Sequence, residues 1–136
     1  MTKINFRWAI THALDEELAR DDKVFMIGQD IGSAGGVFGL TRGLQDKYGD
    51  VRVKDSPISE EGIVGLAVGA AMVGYRPVVE IMYMDFITLA MEELANQAAK
   101  TYYMSNGQIK VPLVVRTLAG GGFRAGAHHS QSLESW

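Results

Sequence analysis

The stretch SEEGIVGLAVGAAMVGYRPVVEIM, residues 59 to 82, decides how this chain folds. Its first part, Ser59–Tyr75, begins with two glutamates and then continues with small and apolar residues, which predicts a helix of roughly four turns. Its second part, Arg76–Met82, is short, mostly apolar and rich in β-branched residues, which predicts a buried strand. A long helix that leads directly into a buried strand is typical of parallel βαβ units.

The sequence on either side continues this alternation of helices and strands. Helices are predicted at residues 5–20, 38–49 and 86–104, and a further helix is predicted to begin at residues 132–136. Strands are predicted at residues 24–28, 51–56 and 111–117. Parallel strands are connected by right-handed crossovers through the intervening helices. We therefore predict an α/β fold of three layers, with a mostly parallel sheet and helices on both faces.

The helix after Ser59 has apolar or small residues on every side, so the pattern leaves no face for water. Gly65 and Gly69 lie one turn apart, with Gly62 one turn before them. Each glycine costs the helix about 1 kcal/mol relative to alanine, which close approach of another backbone would offset. Two explanations stay open: a helix packed within the core of one domain, or a helix buried against a partner subunit. We favour the partner, because so short a chain rarely surrounds a helix completely.

Composition indicates one globular domain over residues 1–136. Apolar residues make up 47% of the chain and charged residues 21%, with a net charge of -3. The basic residues are scattered, so we expect no nucleic acid partner. The longest nearly apolar run, residues 63–75, is too short to span a bilayer. The chain has no cysteine and its first residues lack a signal-peptide core, so we expect a cytoplasmic protein.

Glu60 and Glu61 are the first candidates for chemistry. Ser59 is a suitable N-cap, so both acids would lie in the first turn, where the helix dipole stabilises carboxylates by about 0.3–1 kcal/mol. That ordinary explanation applies to both residues. Glu60, however, also follows a predicted strand, at the carboxyl end of a parallel sheet where α/β proteins bind ligands.

His128 and His129 lie in a glycine-rich loop after the predicted strand 111–117. Adjacent histidines on extended chain point in opposite directions and have no third ligand nearby, so we predict no metal site. A surface histidine and a histidine that binds substrate are both open, because glycine-rich loops often carry function. The glycine clusters at 32–36 and 119–123 match neither a P-loop nor a dinucleotide fingerprint. The pair Tyr102 and Tyr103 is expected to pack in the core.

Taken together, three segments resemble the β subunit of the decarboxylating first component of 2-oxoacid dehydrogenase complexes. They are DSPISEEGIVGLAVGAAMVGYRPVVEIMYMDF, NQAAKTYYMSNG and RTLAGGGFRAGAHHSQSLESW. The resemblance runs from Asn5 to Trp136 and includes a glutamate followed by a glycine and apolar repeat, typical of thiamin diphosphate pyrimidine domains. It implies a pyrimidine-binding domain of the transketolase type over residues 1–136. The chain would then be incomplete at its C-terminal end and lack the family's C-terminal domain.

The resemblance implies a role for four residues. Glu60 would hydrogen-bond a ring nitrogen of the cofactor's aminopyrimidine, a contact that suits a desolvated carboxylate able to share a proton. Phe86 would pack on that ring, with Met82 nearby. His129 would bind substrate and support transfer of the acyl group to a lipoyl carrier. No role is implied for His128.

The resemblance also implies partners and cofactors. Thiamin diphosphate would be the cofactor, and its diphosphate and Mg²⁺ would be held by an α subunit, because the Gly-Asp-Gly motif that binds them is absent here. A second β subunit would complete a heterotetramer, and a lipoyl-bearing acyltransferase would accept the product. Leu113 matches a position whose carbonyl binds a structural monovalent cation in some relatives.

The implied substrate is pyruvate or acetoin. The segments GGVFGLTRGL and RTLAGGGFRAGAHHSQSL favour acetoin dehydrogenases slightly, and the two substrates rank close. Two alternatives remain at this stage. The chain could be a truncated, non-catalytic pyrimidine domain that self-associates through its glycine helix, or a transketolase-like split subunit.

Overall fold

A computed structural model describes residues 3–136 and contains four strands and four α-helices. The strands are β1 (Val24–Gly28), β2 (Val53–Asp55), β3 (Arg76–Tyr83) and β4 (Val114–Leu118). The α-helices are α1 (Phe6–Arg20), α2 (Leu44–Tyr48), α3 (Glu60–Met72) and α4 (Ala99–Met104). The sheet order is β2-β1-β3-β4, and every neighbouring pair is parallel. The predicted α/β fold with a parallel sheet is confirmed.

Helices cover both faces of the sheet. Alternate residues of β1 point to opposite faces and therefore pack against different helices. Val24 and Met26 pack with Leu14 and Leu18 of α1 on one face. Phe25 and Ile27 pack on the other face against α3, in a cluster with Ile63, Val64, Ala67, Val68, Val79 and Ile81. All five residues of β1 are buried. The three predicted layers are therefore present, and β1 lies at their centre.

The predicted helix at residues 38–49 is largely wrong. The structure has a single 3-10 turn at Val37–Gly39, a loop, and then the short helix α2. Gly39 and Gly43 have φ values of +69° and +81°, which a continuous right-handed helix does not allow. Phe38 also has a positive φ, of 57°. The two glycines therefore divide this segment into a loop and one helical turn.

The predicted helix at residues 86–104 is helical but irregular. A 3-10 segment at Met84–Ala90 is followed by a π-helix at Glu92–Ala98 and then by α4. Such departures from the α-helix are frequent near functional sites. The expectation that Tyr102 and Tyr103 pack in the core is wrong, because their exposed fractions are 54% and 88%.

The strand predicted at residues 111–117 and the helix predicted to begin at residues 132–136 both differ from the structure. β4 begins at Val114 rather than at Val111, since Pro112 lacks an N–H group and restricts the residue before it. The helix predicted at Ser132–Trp136 is wrong: the segment is a turn, in which the Trp136 N–H donates to the Leu133 carbonyl.

Only one side of α3 is buried in this chain. Ile63, Val64, Ala67, Val68 and Ala71 face the sheet. On the other side, Leu66 is 50% exposed, Val73 next to the helix end is 76% exposed, and Gly62 and Gly69 are exposed as well. The expectation that α3 would be buried on all sides is not met within the chain.

No helix within residues 3–136 is both long and apolar enough to cross a membrane.

Candidate active site

The carboxyl ends of β3 and β4 bring together two segments that are far apart in the sequence. The strands are parallel, and Tyr83 at the end of β3 pairs with Leu118 at the end of β4. The chain after β4 forms a loop over residues 119–131, and the Gly120 N–H donates to the Gln131 carbonyl at 3.0 Å, which closes this loop. We call residues 119–131 the histidine loop. Carboxyl ends of parallel strands are the usual place for ligand sites in α/β proteins.

The histidine loop places His129 between two aromatic rings. The ring centroid of His129 lies 4.8 Å from that of Tyr83 and 5.1 Å from that of Phe86, with interplanar angles of 81° and 89°. Tyr83 and Phe86 are themselves 6.1 Å apart and perpendicular. Edge-to-face contacts of this kind are favourable and orient the rings. The structure thus brings Phe86 and His129 together, as two of the predicted site residues.

A cavity of about 300 Å³ opens beside His129. Its walls include Tyr83 and Leu118 from the strand ends, Phe123 from the histidine loop, and Phe38 from the loop after β1. Phe38 and Phe123 meet edge to face at 5.4 Å between ring centroids. The cavity therefore combines largely apolar walls with the imidazole of His129 and the phenol of Tyr83, which suits a small organic ligand that needs a proton donor or acceptor.

Glu60 lies in a different part of the sheet edge. It begins α3, directly after β2, and is half-buried, whereas Glu61 is exposed. β1 separates β2 from β3, so the ends of β2 and β3 lie roughly 10 Å apart. In the described part of the chain, Glu60 does not line the cavity at His129. A ligand that contacts both residues would have to extend across the sheet edge.

Three further residues from the sequence analysis, Ser59, Met82 and His128, lie near Glu60 or Phe86. Ser59 occupies the N-cap position of α3, but its hydroxyl makes no capping hydrogen bond, and its backbone has φ −168° and ψ 78°. Met82 is half-buried on β3, next to Tyr83. His128 is exposed and borders a second cavity with Phe86, Gln131 and Trp136. The two histidines therefore face different cavities.

A buried aspartate connects Phe86 to the histidine loop. Asp85 is only 6% exposed, and its Oδ1 accepts a hydrogen bond from Gln131 Nε2 at 2.8 Å and a longer one from the Gln131 N–H at 3.3 Å. Burial alone would raise the pKa of Asp85. The hydrogen bonds from Gln131 and from nearby backbone groups outweigh it and lower the pKa below its usual value. Asp85 is therefore a charged anchor for this loop.

A buried ion pair supports the opposite wall of the cavity. Glu80 on β3 pairs with Arg116 on β4, and both side chains are largely buried. Glu80 also accepts a hydrogen bond from the Val37 N–H, next to Phe38. Burial raises the pKa of Glu80, and the charge of Arg116 and the Val37 N–H oppose this shift without reversing it. Glu80 thus attaches the loop that carries Phe38 to the sheet.

Residues 3–136 contain no cluster of three or more His, Cys, Asp or Glu side chains that could hold a metal ion. Leu113 is half-buried and packs against the α3 cluster just before β4. A role for its carbonyl in binding a monovalent cation stays a prediction.

Sequence reasoning missed five residues of this site: Phe38, Tyr83, Asp85, Phe123 and Gln131. Tyr83 and Asp85 could have been found from their position, because Tyr83 ends β3 and Asp85 is the second residue after it. Phe123 and Gln131 flank His129 within one loop, but nothing in the local pattern shows which loop side chains turn inward. Phe38 lies in the segment predicted as helix 38–49, but the structure places it in a 3-10 turn. Its position at the cavity follows from tertiary contacts.

Comparison with known proteins gives consistent matches over nearly the whole chain. A family model described as transketolase, pyrimidine binding domain, matches residues 2–136. A pyruvate dehydrogenase E1 component subunit beta from Chaetosphaeridium globosum is 48% identical over 94% of this chain. Mitochondrial proteins of the same name from Bos taurus and Drosophila melanogaster are 46% and 47% identical over 98% of it. The chain spans only 37–39% of the length of these relatives.

Proposed function

The chain belongs to the transketolase pyrimidine-binding domain family, and from this premise we propose that it is part of the β subunit of a thiamin-diphosphate-dependent 2-oxoacid dehydrogenase component. The observation that carries the proposal is the contact between Phe86 and His129 at the carboxyl ends of β3 and β4. It joins an aromatic ring suited to packing on a pyrimidine with an imidazole suited to proton transfer.

We propose pyruvate as the substrate, with acetoin as the alternative. The relatives named above are pyruvate dehydrogenase subunits and share 46–48% identity with this chain. The cavity at His129 is small and largely apolar, which suits a short acyl group. The cytoplasmic location expected from the sequence stays a prediction, and relatives named as mitochondrial make the mitochondrion a second candidate.

The residues present fit the pyrimidine end of thiamin diphosphate and not its diphosphate end. The half-buried ring of Phe86 and the half-buried carboxylate of Glu60 are an apolar surface and a proton partner for an aminopyrimidine. The described residues offer no metal cluster that would neutralise a diphosphate. We therefore propose that an α subunit binds the diphosphate and Mg²⁺.

In this proposal each residue of the chain has a limited task. Glu60 shares a proton with a ring nitrogen of the pyrimidine, while Phe86 packs on the ring and Met82 borders it. His129 donates or accepts a proton at the substrate and during acyl transfer to a lipoyl carrier. When bound, thiamin diphosphate supplies the electron sink for cleaving the bond next to the substrate carbonyl.

We propose that the open side of α3 contacts another subunit. Leu66 and Val73 are half or more exposed, and Gly69 between them has no neighbour within 4 Å of a Cβ position, which leaves room for a second backbone. An α subunit and a second β subunit are the proposed partners, in a heterotetramer that passes its product to a lipoyl-bearing acyltransferase. The same surface supports a second candidate function, in which the chain only self-associates and catalyses nothing.

Replacing Glu60 tests the catalytic proposal against self-association. With the α subunit present, Glu60→Gln should reduce thiamin-diphosphate-dependent decarboxylation of pyruvate by at least about a hundredfold, because the amide cannot share a proton with the ring. The measurement is release of carbon dioxide at saturating cofactor. Acetoin cleavage is measured in parallel to identify the substrate.

Glu61→Gln is the matched control, since Glu61 is the exposed neighbour in the same helical turn. It should leave the rate nearly unchanged. Equal losses in the two variants would contradict the assignment of Glu60. A wild-type chain that forms oligomers but shows no decarboxylation with any α subunit would support the self-association alternative.

A further inference from the structure

Asp85 is a buried carboxylate to which the resemblance assigns no task. It follows β3, precedes Phe86, and is only 6% exposed. Its Oδ1 accepts both hydrogen bonds from Gln131, from the side-chain amide at 2.8 Å and from the backbone N–H at 3.3 Å. A buried carboxylate is costly unless donors reach it. Asp85 Oδ2 has no hydrogen-bond partner within the described residues, so the place of this carboxylate in the fold depends on the donors at Oδ1.

The contact links the two halves of the site. Asp85 is the neighbour of Phe86, and Gln131 is two residues beyond His129. The carbonyl of Gln131 also accepts from the Gly120 N–H, at the start of the histidine loop. Asp85 therefore holds the point at which this loop closes, and it does so from the segment that carries Phe86.

Few other contacts fix the position of the His129 imidazole. Its ring is oriented by edge-to-face contacts with Tyr83 and Phe86, which are weak and allow sliding. Its backbone N–H makes only a long hydrogen bond, 3.4 Å, to the Gly126 carbonyl. The hydrogen bond from Gln131 Nε2 to Asp85 Oδ1, at 2.8 Å, is shorter than the 3.1 Å bond from the Ala125 N–H to Ser130 Oγ within the loop, and its acceptor is a carboxylate.

We propose that Asp85 is a positioning residue, which acts through Gln131 to hold the histidine loop so that His129 stays against Tyr83 and Phe86. It does not touch the reacting groups. Its consequence for catalysis rests on the proposed function, whereas its effect on the position of His129 does not. Acyl transfer needs His129 at a defined distance from a large carrier group, so this step should suffer most from a loosened loop.

The first experiment measures the position of His129 in the chain itself, without cofactor or partner. Two-dimensional proton–carbon NMR resolves the rings of the three histidines, and His12, which contacts Trp8 on α1, is the internal reference. Asp85→Ala should move the His129 signals towards those of an exposed histidine, because the ring leaves its two aromatic neighbours. Asp85→Asn, which keeps one acceptor, should move them less.

Gln131→Ala keeps the experiment decisive if Asp85→Ala fails to fold. Gln131 is exposed, so its truncation preserves the core, yet it removes the shorter hydrogen bond to Asp85. It should shift His129 in the same direction as Asp85→Asn. Asp50→Asn, at an exposed aspartate in the turn before β2, is the matched control and should shift no histidine. Unchanged His129 signals in folded Gln131→Ala and Asp85→Asn would overturn the proposal.

The second experiment measures two reactions in the complex with the α subunit. Gln131→Ala and Asp85→Asn should slow acyl transfer to lipoamide by about tenfold, and slow decarboxylation with an artificial electron acceptor much less. The KM for pyruvate should stay nearly constant. Equal losses in both reactions would reduce Asp85 to a general structural role and overturn the inference. If the wild-type complex is inactive while the NMR shifts occur, the proposed function fails and the positioning role stands.

Discussion

Strands β1 and β4, V-F-M-I-G and V-V-R-T-L, are equally long and belong to the same parallel sheet, but they lie in different surroundings. Every residue of β1 is buried, whereas Val114 of β4 is 56% exposed and the rest of β4 is half-buried. β1 pairs with a strand on each side and is covered by α1 and α3. β4 pairs with β3 only. The number of neighbouring elements, together with the polar residues Arg116 and Thr117 of β4, thus accounts for the difference in burial.

The two sides of α3 repeat this difference. Its sheet-facing side packs in the core, and its other side is as apolar but open. We therefore divide the molecule into a closed region, formed by β1, β3 and the inner side of α3, and an open region, formed by β4, the histidine loop and the outer side of α3. The closed region stabilises the chain, and the open region carries the surfaces proposed for ligand and partners.

The largest expected effect separates β1 from β4. Ile27→Ala should lower the free energy of unfolding by about 2–5 kcal/mol, because Ile27 is buried between β3 and α3 and its loss leaves a cavity. Val114→Ala should change it by no more than about 0.5 kcal/mol. Urea denaturation followed by circular dichroism measures both. Similar losses would mean that β4 is as closed as β1 in solution.

A smaller effect is expected at the close approach of β1 and β3. A Cβ built on Gly28 would lie 2.8 Å from the carbonyl oxygen of Glu80 and 2.9 Å from its Cβ. Gly28→Ala should therefore cost about 1–3 kcal/mol of stability, as strained additions to a packed core do. Gly121→Ala in the histidine loop is the control, since a Cβ there has no neighbour within 4 Å. A neutral Gly28→Ala would show that the two strands can separate freely.

Replacing a glycine by alanine on the open side of α3 should raise the stability of the chain instead of lowering it. A Cβ on Gly69 meets no atom within 4 Å, so Gly69→Ala should stabilise the isolated chain by about 1 kcal/mol through helix propensity. It should also weaken association with the α or second β subunit, because the methyl group occupies the space left for a partner backbone. Thermal unfolding and sedimentation measure the two effects. Unaltered association would remove Gly69 from the proposed interface.

The smallest expected effect is a difference in pH dependence between Glu80 and Asp85. Burial raises the pKa of Glu80 above its usual 4.5. Its contribution to stability is therefore complete below about pH 4.5 and is lost as the pH rises through the raised pKa. Burial would raise the pKa of Asp85 too, but its hydrogen bonds lower it below 3.8. Its contribution is therefore present above that value and is lost as the pH falls through the lowered pKa.

Urea midpoints between pH 3 and 8 measure this difference. Glu80→Gln removes the titrating carboxyl, and its deficit relative to wild type should shrink as the pH rises, because wild type alone loses stability through the raised pKa. The deficit of Asp85→Asn should grow as the pH rises from acid. Parallel trends for Glu80→Gln and Asp85→Asn would contradict the opposite pKa shifts.

The sequence alone determined the order of elements, the parallel α/β class and the burial of β1, because hydrophobic period and element length are local properties. Position after a strand marked Glu60 and the two histidines as candidates, and the family resemblance added Phe86 and selected His129. The sequence could not determine that Gly39 and Gly43 interrupt a helical pattern, since each glycine tolerates several conformations and tertiary contacts choose among them.

Only the tertiary structure decided which side chains meet. Tyr83 and Phe123 meet at the cavity beside His129 because parallel pairing of β3 with β4 brings the ends of these strands, Tyr83 and Leu118, to one edge. Phe38 reaches the same cavity from the loop after β1, which Glu80 holds through the Val37 N–H. Asp85 and Gln131, 46 residues apart, form their hydrogen bonds because of the same strand pairing. The local sequences around Asp85 and Gln131 do not indicate this contact, because its free energy comes from excluding water in a packed structure.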